Sequence, residues 1–507
     1  MKTNKKKKHL AVHPIITFIL LIIVVMIASA ILNALGVKAN FNKINTATGE
    51  IETSIITVTS LLNADGIRYM ITNAISNFIN FAPLSAIIVS LIGIGIAEKS
   101  GFLKAIFGKT KKIPNVVLTG LVILLGVISS VFSDGGYVIL IPLSALLFLI
   151  NKRNPSIGII AAFAGITGGY GANLILGSVD YEYSVITTTA AQLIDNDYLV
   201  RISSNYFVMI VAAIAITILG TWITEKFIAK KFPVPAEEPE EETTENRNRG
   251  LFFSIFAIGI LLIIFIYTII PGLPFSGLLL NRDEIMYLNQ LFGYNSYLVQ
   301  GFVFLFTFAL TIISLAYGIG AGTIKNNKTF ANFLTHALND AGYMLVLLFM
   351  ASQFVAIFKK SEIGTVIGSS LTNLIATMDI TGLPLIIIFF LFATILGLFV
   401  TSSTIKWSMM SPIVVPMFMQ NNLSPEFAQM IFRATDSITR GITPLMAFFV
   451  IYVVFLQKYT KNRTVSVGKS LSYMVPYTLG FTLIWFVIVI GWYILGAPIG
   501  VNVFPTM

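Results

Sequence analysis

Apolar runs of about 20 residues recur along the whole chain, and no water-soluble fold can hide them all. The first is Ile15 to Leu35; comparable runs include Tyr206 to Ile228 and Leu251 to Ile270. A helix of that length crosses roughly 30 Å of hydrocarbon, and the runs lack the strict alternation of a barrel strand. Of the 507 residues 56% are hydrophobic and only 11% charged, with a mean hydropathy of +0.86. That is about half the charge a soluble surface carries. The chain therefore reads as an all-α polytopic membrane protein whose first partner is the lipid bilayer.

The net charge of +10 sits in short Lys/Arg clusters between apolar runs. This pattern reports topology and argues against a nucleic-acid partner. Lys2 and Lys5 to Lys8 precede the first run, which has no small-residue cleavage site and reads as a retained helix with a cytoplasmic amino terminus in the plasma membrane. The absence of cysteine excludes disulfides and thiolate chemistry. His9, His13 and His336 form no metal spacing, and the glycine-rich Tyr317 to Gly322 follows no strand, so an enzyme is not expected.

One motif occurs twice. VFSDGGYVILIPLSALLF and VTSSTIKWSMMSPIVVPMF each put a polar cluster inside an apolar stretch, then an aromatic residue and, five positions later, a proline: Tyr137 to Pro142 and Trp407 to Pro412. The first copy lies between the basic loop holding Lys99, Lys104, Lys109, Lys111 and Lys112 and the pair Lys152–Arg153, so it enters from the cytoplasm and returns there. Two full spans with a tight outer turn fit, as does a re-entrant hairpin; arms of about 15 to 18 residues favour the hairpin. The second copy opens from outside, which makes an inverted-topology repeat.

The chain divides accordingly. Residues 1–98 hold two spans with an outer polar loop from Val37 to Arg68, and 99–230 the first repeat, with a hairpin at about 114–150 and a broken span at about 156–180. An acidic linker follows at 231–250, then central spans and an outer amphipathic segment at 251–380. The second repeat and a last span occupy 381–507, with a hairpin at about 383–419 and a broken span at about 425–456. The carboxyl terminus falls outside.

Helices broken in mid-membrane free backbone groups that need a cavity, water or ligand; glycine breaks can also serve close helix packing. Arg433, Asp436 and Arg440, spaced by three and four, stack on one helix face. A charge at that depth costs at least about 2.5 to 3.5 kcal/mol unless paired, so these residues face a partner or a pathway. Even as an ion pair, the second arginine exceeds what one aspartate neutralises, leaving capacity for an anion. Trp407 beside Lys406, and Tyr137, are candidates for stacking on an aromatic substrate or for packing. Asp134 and Asp180 are candidates for ion coupling or for helix capping. Asn173, Ser133, Ser402, Ser403 and Thr404 offer neutral oxygens of the kind sodium uses; Asn173, Ser402, Ser403 and Asp436 are the candidate sodium ligands. No other cofactor is expected.

Several stretches together resemble the p-aminobenzoyl-glutamate transporter (AbgT) family: NFINFAPLSAIIVSLIGIGIAEKSG from Asn77, SDGGYVILIPL, FAGITGGYGANLILGSVD, YGIGAGTIK, SSTIKWSMMSPIVVPMFM and RATDSITRGITPLMAF. The resemblance implies homodimers of nine spans and two opposed hairpins. It also implies a substrate path lined by Asp180, Trp407, Pro425, Arg433, Asp436 and Pro444, with the hydroxyl cluster Ser402, Ser403 and Thr404. The chain departs from the family pattern at Tyr181, where proline is common, at Gly171, where serine is common, and at Phe358-Lys359-Lys360. The expected function is ion-coupled transport, by proton or sodium, of p-aminobenzoyl-glutamate or a related aromatic carboxylate. Proton-driven efflux of sulfonamide antimetabolites is the alternative, and a channel or non-transporting scaffold the remote one.

Overall fold

The structure is a computed structural model that describes residues 12–44, 51–233, 246–293, 295–339, 341–460 and 464–507. The amino-terminal lysine cluster and residues 234–245 of the acidic linker lie outside the described residues. The chain is mostly helical. Helix α1 (Pro14–Ala34) begins where Pro14 fixes φ, and the His13 ring nitrogen accepts the Ile15 N–H at 3.3 Å.

The expected outer polar loop is not a loop throughout. Strands β1 (Lys38–Ile44) and β2 (Ile51–Thr57) pair antiparallel, Lys38 opposite Thr57 and Ile44 opposite Ile51, which corrects the all-α reading. The β-branched Ile51, Thr53 and Ile55 alternate with Glu52 and Ser54, a short period-two pattern concealed by the loop's overall polarity.

Helix α2 (Ala64–Ile79) follows, capped by the Asn63 side chain on the Gly66 N–H at 2.8 Å. It gives way to α3 (Ala82–Lys99) at Asn80–Phe81, just ahead of Pro83. Then come short α4 (Phe102–Phe107), α5 (Asn115–Ile128) and α6 (Gly135–Ile150), the last two joined by a 3₁₀ turn, Ser129–Phe132. Next are α7 (Pro155–Gly168), a break, and α8 (Ser178–Ala191). The first broken helix thus runs well past Asp180. That residue opens its second half: Asp180 Oδ2 accepts the Gly177 N–H at 2.7 Å, so the carboxylate starts a helix where the sequence reading ended one.

Helix α9 (Tyr206–Ile223) continues through a π turn, Thr224–Ile228. Helices α10 (Arg247–Ile269), short α11 (Tyr287–Phe292), α12 (Tyr297–Ala321), short α13 (Asn327–His336), α14 (Ala341–Lys360) and α15 (Ile363–Ala376) lead to the second repeat. There α16 (Gly382–Gly397) and α17 (Ser403–Gln420) form the second helical hairpin, α18 (Pro425–Thr439) and α19 (Phe449–Tyr459) the second broken pair, and α20 (Val467–Leu495) closes the chain.

Among the described residues, eight helical stretches are long and apolar enough to cross a bilayer: Pro14–Ala34, Ala64–Lys99, Asn115–Phe132, Tyr206–Lys231, Arg247–Ile269, Tyr297–Ala321, Ala341–Lys360 and Val467–Leu495. Seven coincide with spans read from the sequence; the eighth is the first arm of the first hairpin.

Burial separates two kinds of helix. Every residue of α7 and α18 is buried, whereas α10 turns Phe252, Phe256, Leu262 and Ile263 outward, as a lipid-facing helix does. The hairpins pack reciprocally. α5 and α6 lie on α7, and α16 and α17 on α18; each second arm also crosses over, α17 onto α8 and α6 onto α19. Gly126 and Gly165 allow α5 to approach α7 closely, since a Cβ on Gly165 would come within 2.6 Å of the Ile123 carbonyl oxygen. For Gly165, then, close packing is the operative role, and the break itself begins at Gly169.

Candidate functional site

Helix α18 carries the site. Ser424 Oγ accepts the Phe427 N–H at 3.2 Å and Pro425 occupies the first turn; Arg440, Gly441 and Pro444 end the helix. Its polar face holds Arg433, Asp436 and Arg440 in a fully buried setting.

Asp436 is the hub. Its Oδ1 accepts from Lys406 Nζ at 2.6 Å; its Oδ2 accepts from Ser403 Oγ at 2.6 Å, Arg440 Nε at 3.1 Å and Tyr183 Oη at 3.4 Å. Arg440 also donates to Ser403 Oγ at 2.6 Å and to Asp134 Oδ1 at 3.3 Å, and its guanidinium lies 3.3 Å from the Tyr170 ring centroid. Lys406 and Ser403 come from the second hairpin and Asp134 from the tip of the first, so Asp436 holds the second hairpin and Arg440, beside it, reaches the first.

One turn earlier, Arg433 donates to Asp180 Oδ1 at 2.5 Å and to the Gly171 carbonyl at 3.4 Å. Asp180, Arg433 and Asp436, expected on the substrate path, therefore come together, but the expected spare arginine charge does not. Arg433 pairs with Asp180 and Arg440 with Asp436 and Asp134, because a cation at this depth is tolerated only beside a counter-charge.

The other candidates divide. Trp407 is fully buried; its indole N–H donates to Thr187 Oγ1 at 2.9 Å and its ring stacks on Phe432 at 4.6 Å between centroids. Thr404 bonds Glu182. Pro425 starts α18, and Pro444 lies in the second break, which is stitched to the second hairpin by Thr443 Oγ1 donating to the Leu398 carbonyl at 2.9 Å.

The four candidate sodium ligands do not gather. Ser403 and Asp436 touch, but Asn173 donates to Ser130 Oγ at 2.8 Å while its own oxygen accepts the Leu174 N–H. Ser402 is exposed and caps α17 through the Ile405 N–H at 3.5 Å. Asp436 already faces two cations, Lys406 and Arg440, which leaves its oxygens a poor sodium set in this conformation. No cluster of three or more His, Cys, Asp or Glu residues suited to a metal occurs among the described residues.

Two departures from the family pattern have structural partners. The Gly171 N–H donates to Ser437 Oγ at 2.6 Å, and a Cβ there would overlap both that hydroxyl and the Arg433 carbonyl. Tyr181 Oη donates to Glu284 Oε1 at 2.7 Å, tying the first turn of α8 to the connection between α10 and α12.

Sequence reasoning missed Lys406 as an ion-pair partner, and missed Tyr170, Tyr183, Thr187 and Glu182 altogether. The signal for Lys406 was present: a lysine inside an apolar hairpin demands a counter-charge. Tyr183 and Thr187 lie beyond the point where the broken helix was ended, which concealed them.

Interrupted helices gathered around a buried ion-pair network define a polytopic membrane protein of the transporter class. The sequence pattern of the AbgT transporter family matches residues 6–507, and the chain belongs to that family; it is a transporter and not an enzyme. A relative from Escherichia coli (strain K12), the p-aminobenzoyl-glutamate transport protein, is 32% identical over 500 residues, covering 98% of this chain and 94% of the relative. Two solved structures are also similar. The Alcanivorax borkumensis YdaH transporter is 30% identical, covering 96% of this chain and 100% of that one, with a TM-score of 0.49. Neisseria gonorrhoeae MtrF, described as illuminating a class of antimetabolite efflux pumps, is 32% identical, covering 97% of each chain, with a TM-score of 0.47.

Proposed function

We propose that this chain is an ion-coupled secondary transporter of p-aminobenzoyl-glutamate or a related aromatic carboxylate, acting as a homodimer in the plasma membrane. Its nine spans and two opposed re-entrant hairpins would put the amino terminus in the cytoplasm and the carboxyl terminus outside. The observation that carries the reading is the convergence of both hairpins and both broken helices on Arg433, Asp436 and Arg440, with the Trp407 ring beside them. Guanidinium and ammonium groups suit a carboxylate, and an indole suits an aromatic ring.

Binding proceeds by exchange of partners. The substrate carboxylate takes the fork of Arg433 from Asp180, and its ring takes the Trp407 face from Phe432. A coupling cation, proton or sodium, compensates the carboxylates so released. Across 100 mV one charge is worth about 2.3 kcal/mol, nearly two decades of concentration ratio.

Uptake of labelled p-aminobenzoyl-glutamate into proteoliposomes, with an imposed sodium gradient, an imposed proton gradient or neither, tests substrate, coupling and direction together. Saturable, gradient-dependent uptake that Arg433→Ala abolishes is expected. Unsaturable flux would indicate a channel, and no flux with any solute a scaffold. Greater sulfonamide accumulation in cells lacking the protein would assign efflux instead.

A further inference from the structure

The polar face of α18 runs one turn further than Arg433. Gln429 lies four residues earlier, about 6 Å along the helix axis, so Gln429, Arg433, Asp436 and Arg440 form one stripe. Gln429 is buried, and a buried carboxamide is costly unless it is hydrogen-bonded. Both of its ends are. Its Oε1 accepts from Thr187 Oγ1 at 2.7 Å, and its Nε2 donates to Asn205 Oδ1 at 3.0 Å. Asn205, ahead of α9, donates in turn to the Glu426 carbonyl at 2.9 Å, and the Glu426 carboxylate accepts from Tyr198 Oη at 2.9 Å.

This chain of bonds starts at Trp407. The indole N–H donates to Thr187 Oγ1 at 2.9 Å, and the same hydroxyl lies 2.7 Å from two acceptors, Gln429 Oε1 and the Tyr183 carbonyl. With two acceptors on the side of its single hydrogen, the hydroxyl keeps a lone pair for the indole. Phe432, the ring stacked on Trp407, carries no polar anchor. It meets Tyr183 edge-on at 5.4 Å between centroids, and the Lys406 ammonium lies 5.5 Å from its ring.

We propose that Thr187 and Gln429 are positioning residues that hold the Trp407 indole in place while Phe432 yields its face to the substrate ring. Gln429 and Arg433 sit one turn apart on the same helix, so α18 also sets the spacing between the ring subsite and the carboxylate subsite. The assignment rests on the substrate reading above and adds two residues that tune its specificity.

The test is initial-rate uptake of labelled p-aminobenzoyl-glutamate into proteoliposomes holding the full chain, over a range of substrate concentrations. Thr187→Val should raise KM about fivefold, the worth of one hydrogen bond, with the maximal rate kept within about twofold. Thr187→Ser should restore the original KM. Gln429→Met, which leaves the Tyr183 carbonyl to take the hydroxyl hydrogen, should raise it by a smaller factor. Thr189→Val, which removes a hydroxyl donating to the Val185 carbonyl at 3.1 Å, should leave it unchanged. In a Trp407→Phe background Thr187→Val should add nothing, because no indole N–H remains to be held. An equal further rise there, or an unchanged KM in Thr187→Val alone, overturns the assignment. Should Thr187→Val fail to fold, Gln429→Met must raise KM and lose that effect in the Trp407→Phe background. In nitrogen-15 Trp-labelled protein in nanodiscs, the indole N–H resonance that Trp407→Phe removes should move in Thr187→Val and return in Thr187→Ser; a resonance that stays in place also overturns the assignment. Absence of saturable uptake by the unaltered protein sinks the substrate reading and this role with it, whereas saturable uptake with KM indifferent to Thr187 removes the positioning role alone.

Discussion

Asp436 concentrates more of the site's energetics than any neighbour, because it alone touches Lys406, Arg440 and Ser403. Removing one member of a buried ion network leaves the others unpaired, at a cost of about 3 to 5 kcal/mol. Asp436→Asn should therefore destabilise the protein by that amount in an unfolding titration, and Asp436→Asn combined with Lys406→Met should recover part of the loss. Lys406→Met alone should cost less than Asp436→Asn, since Arg440 remains beside the carboxylate. At Trp407 the ring and the N–H have separate partners, Phe432 and Thr187. Trp407→Phe keeps the stack and forfeits one hydrogen bond worth about 1 kcal/mol, so uptake should fall far less than in Trp407→Ala, as initial rates in proteoliposomes will report.

At the scale of elements, glycines set how closely the first hairpin approaches its broken helix. A Cβ on Gly165 would meet the Ile123 backbone, and one on Gly126 would meet the Gly165 carbonyl carbon at 2.8 Å. Gly165→Ala should therefore force α5 and α7 apart at a cost of about 1 to 3 kcal/mol, the usual penalty of overpacking. Gly259→Ala on α10, where nothing lies within 4 Å of an added Cβ, is the matched control and should be neutral or slightly stabilising in the same unfolding assay. Element boundaries were legible where a residue has a single physical meaning: Pro14, Pro155 and Pro425 each open a helix. They were not legible at Asp180, because a carboxylate can end a membrane span or cap the start of its next half. Nor were they at β1 and β2, whose alternation is too short to stand out in a polar loop.

For the whole molecule the open quantity is sidedness, and the sequence supplies the means to measure it. The chain has no cysteine, so a single introduced one reports alone. Ser54→Cys, exposed on β2 in the loop assigned outside, should react with a membrane-impermeant maleimide added outside intact cells, and Lys111→Cys only after the membrane is opened. Labelling of Lys111→Cys from outside would reverse the assigned topology.

The sequence by itself determined the solvent, the mostly helical class, the two polar breaks of the repeated motif and the family, because apolar length, charge clustering and a repeated motif are linear properties of a chain. It also put Arg433, Asp436 and Arg440 on one face, since helical periodicity reaches that far. Which charge neutralises which was decided only by the tertiary structure. Asp180 lies 253 residues from Arg433 in sequence and Asp134 lies 306 from Arg440, and such pairings follow from the way each hairpin crosses onto the other repeat's broken helix, a packing outcome that no local pattern encodes.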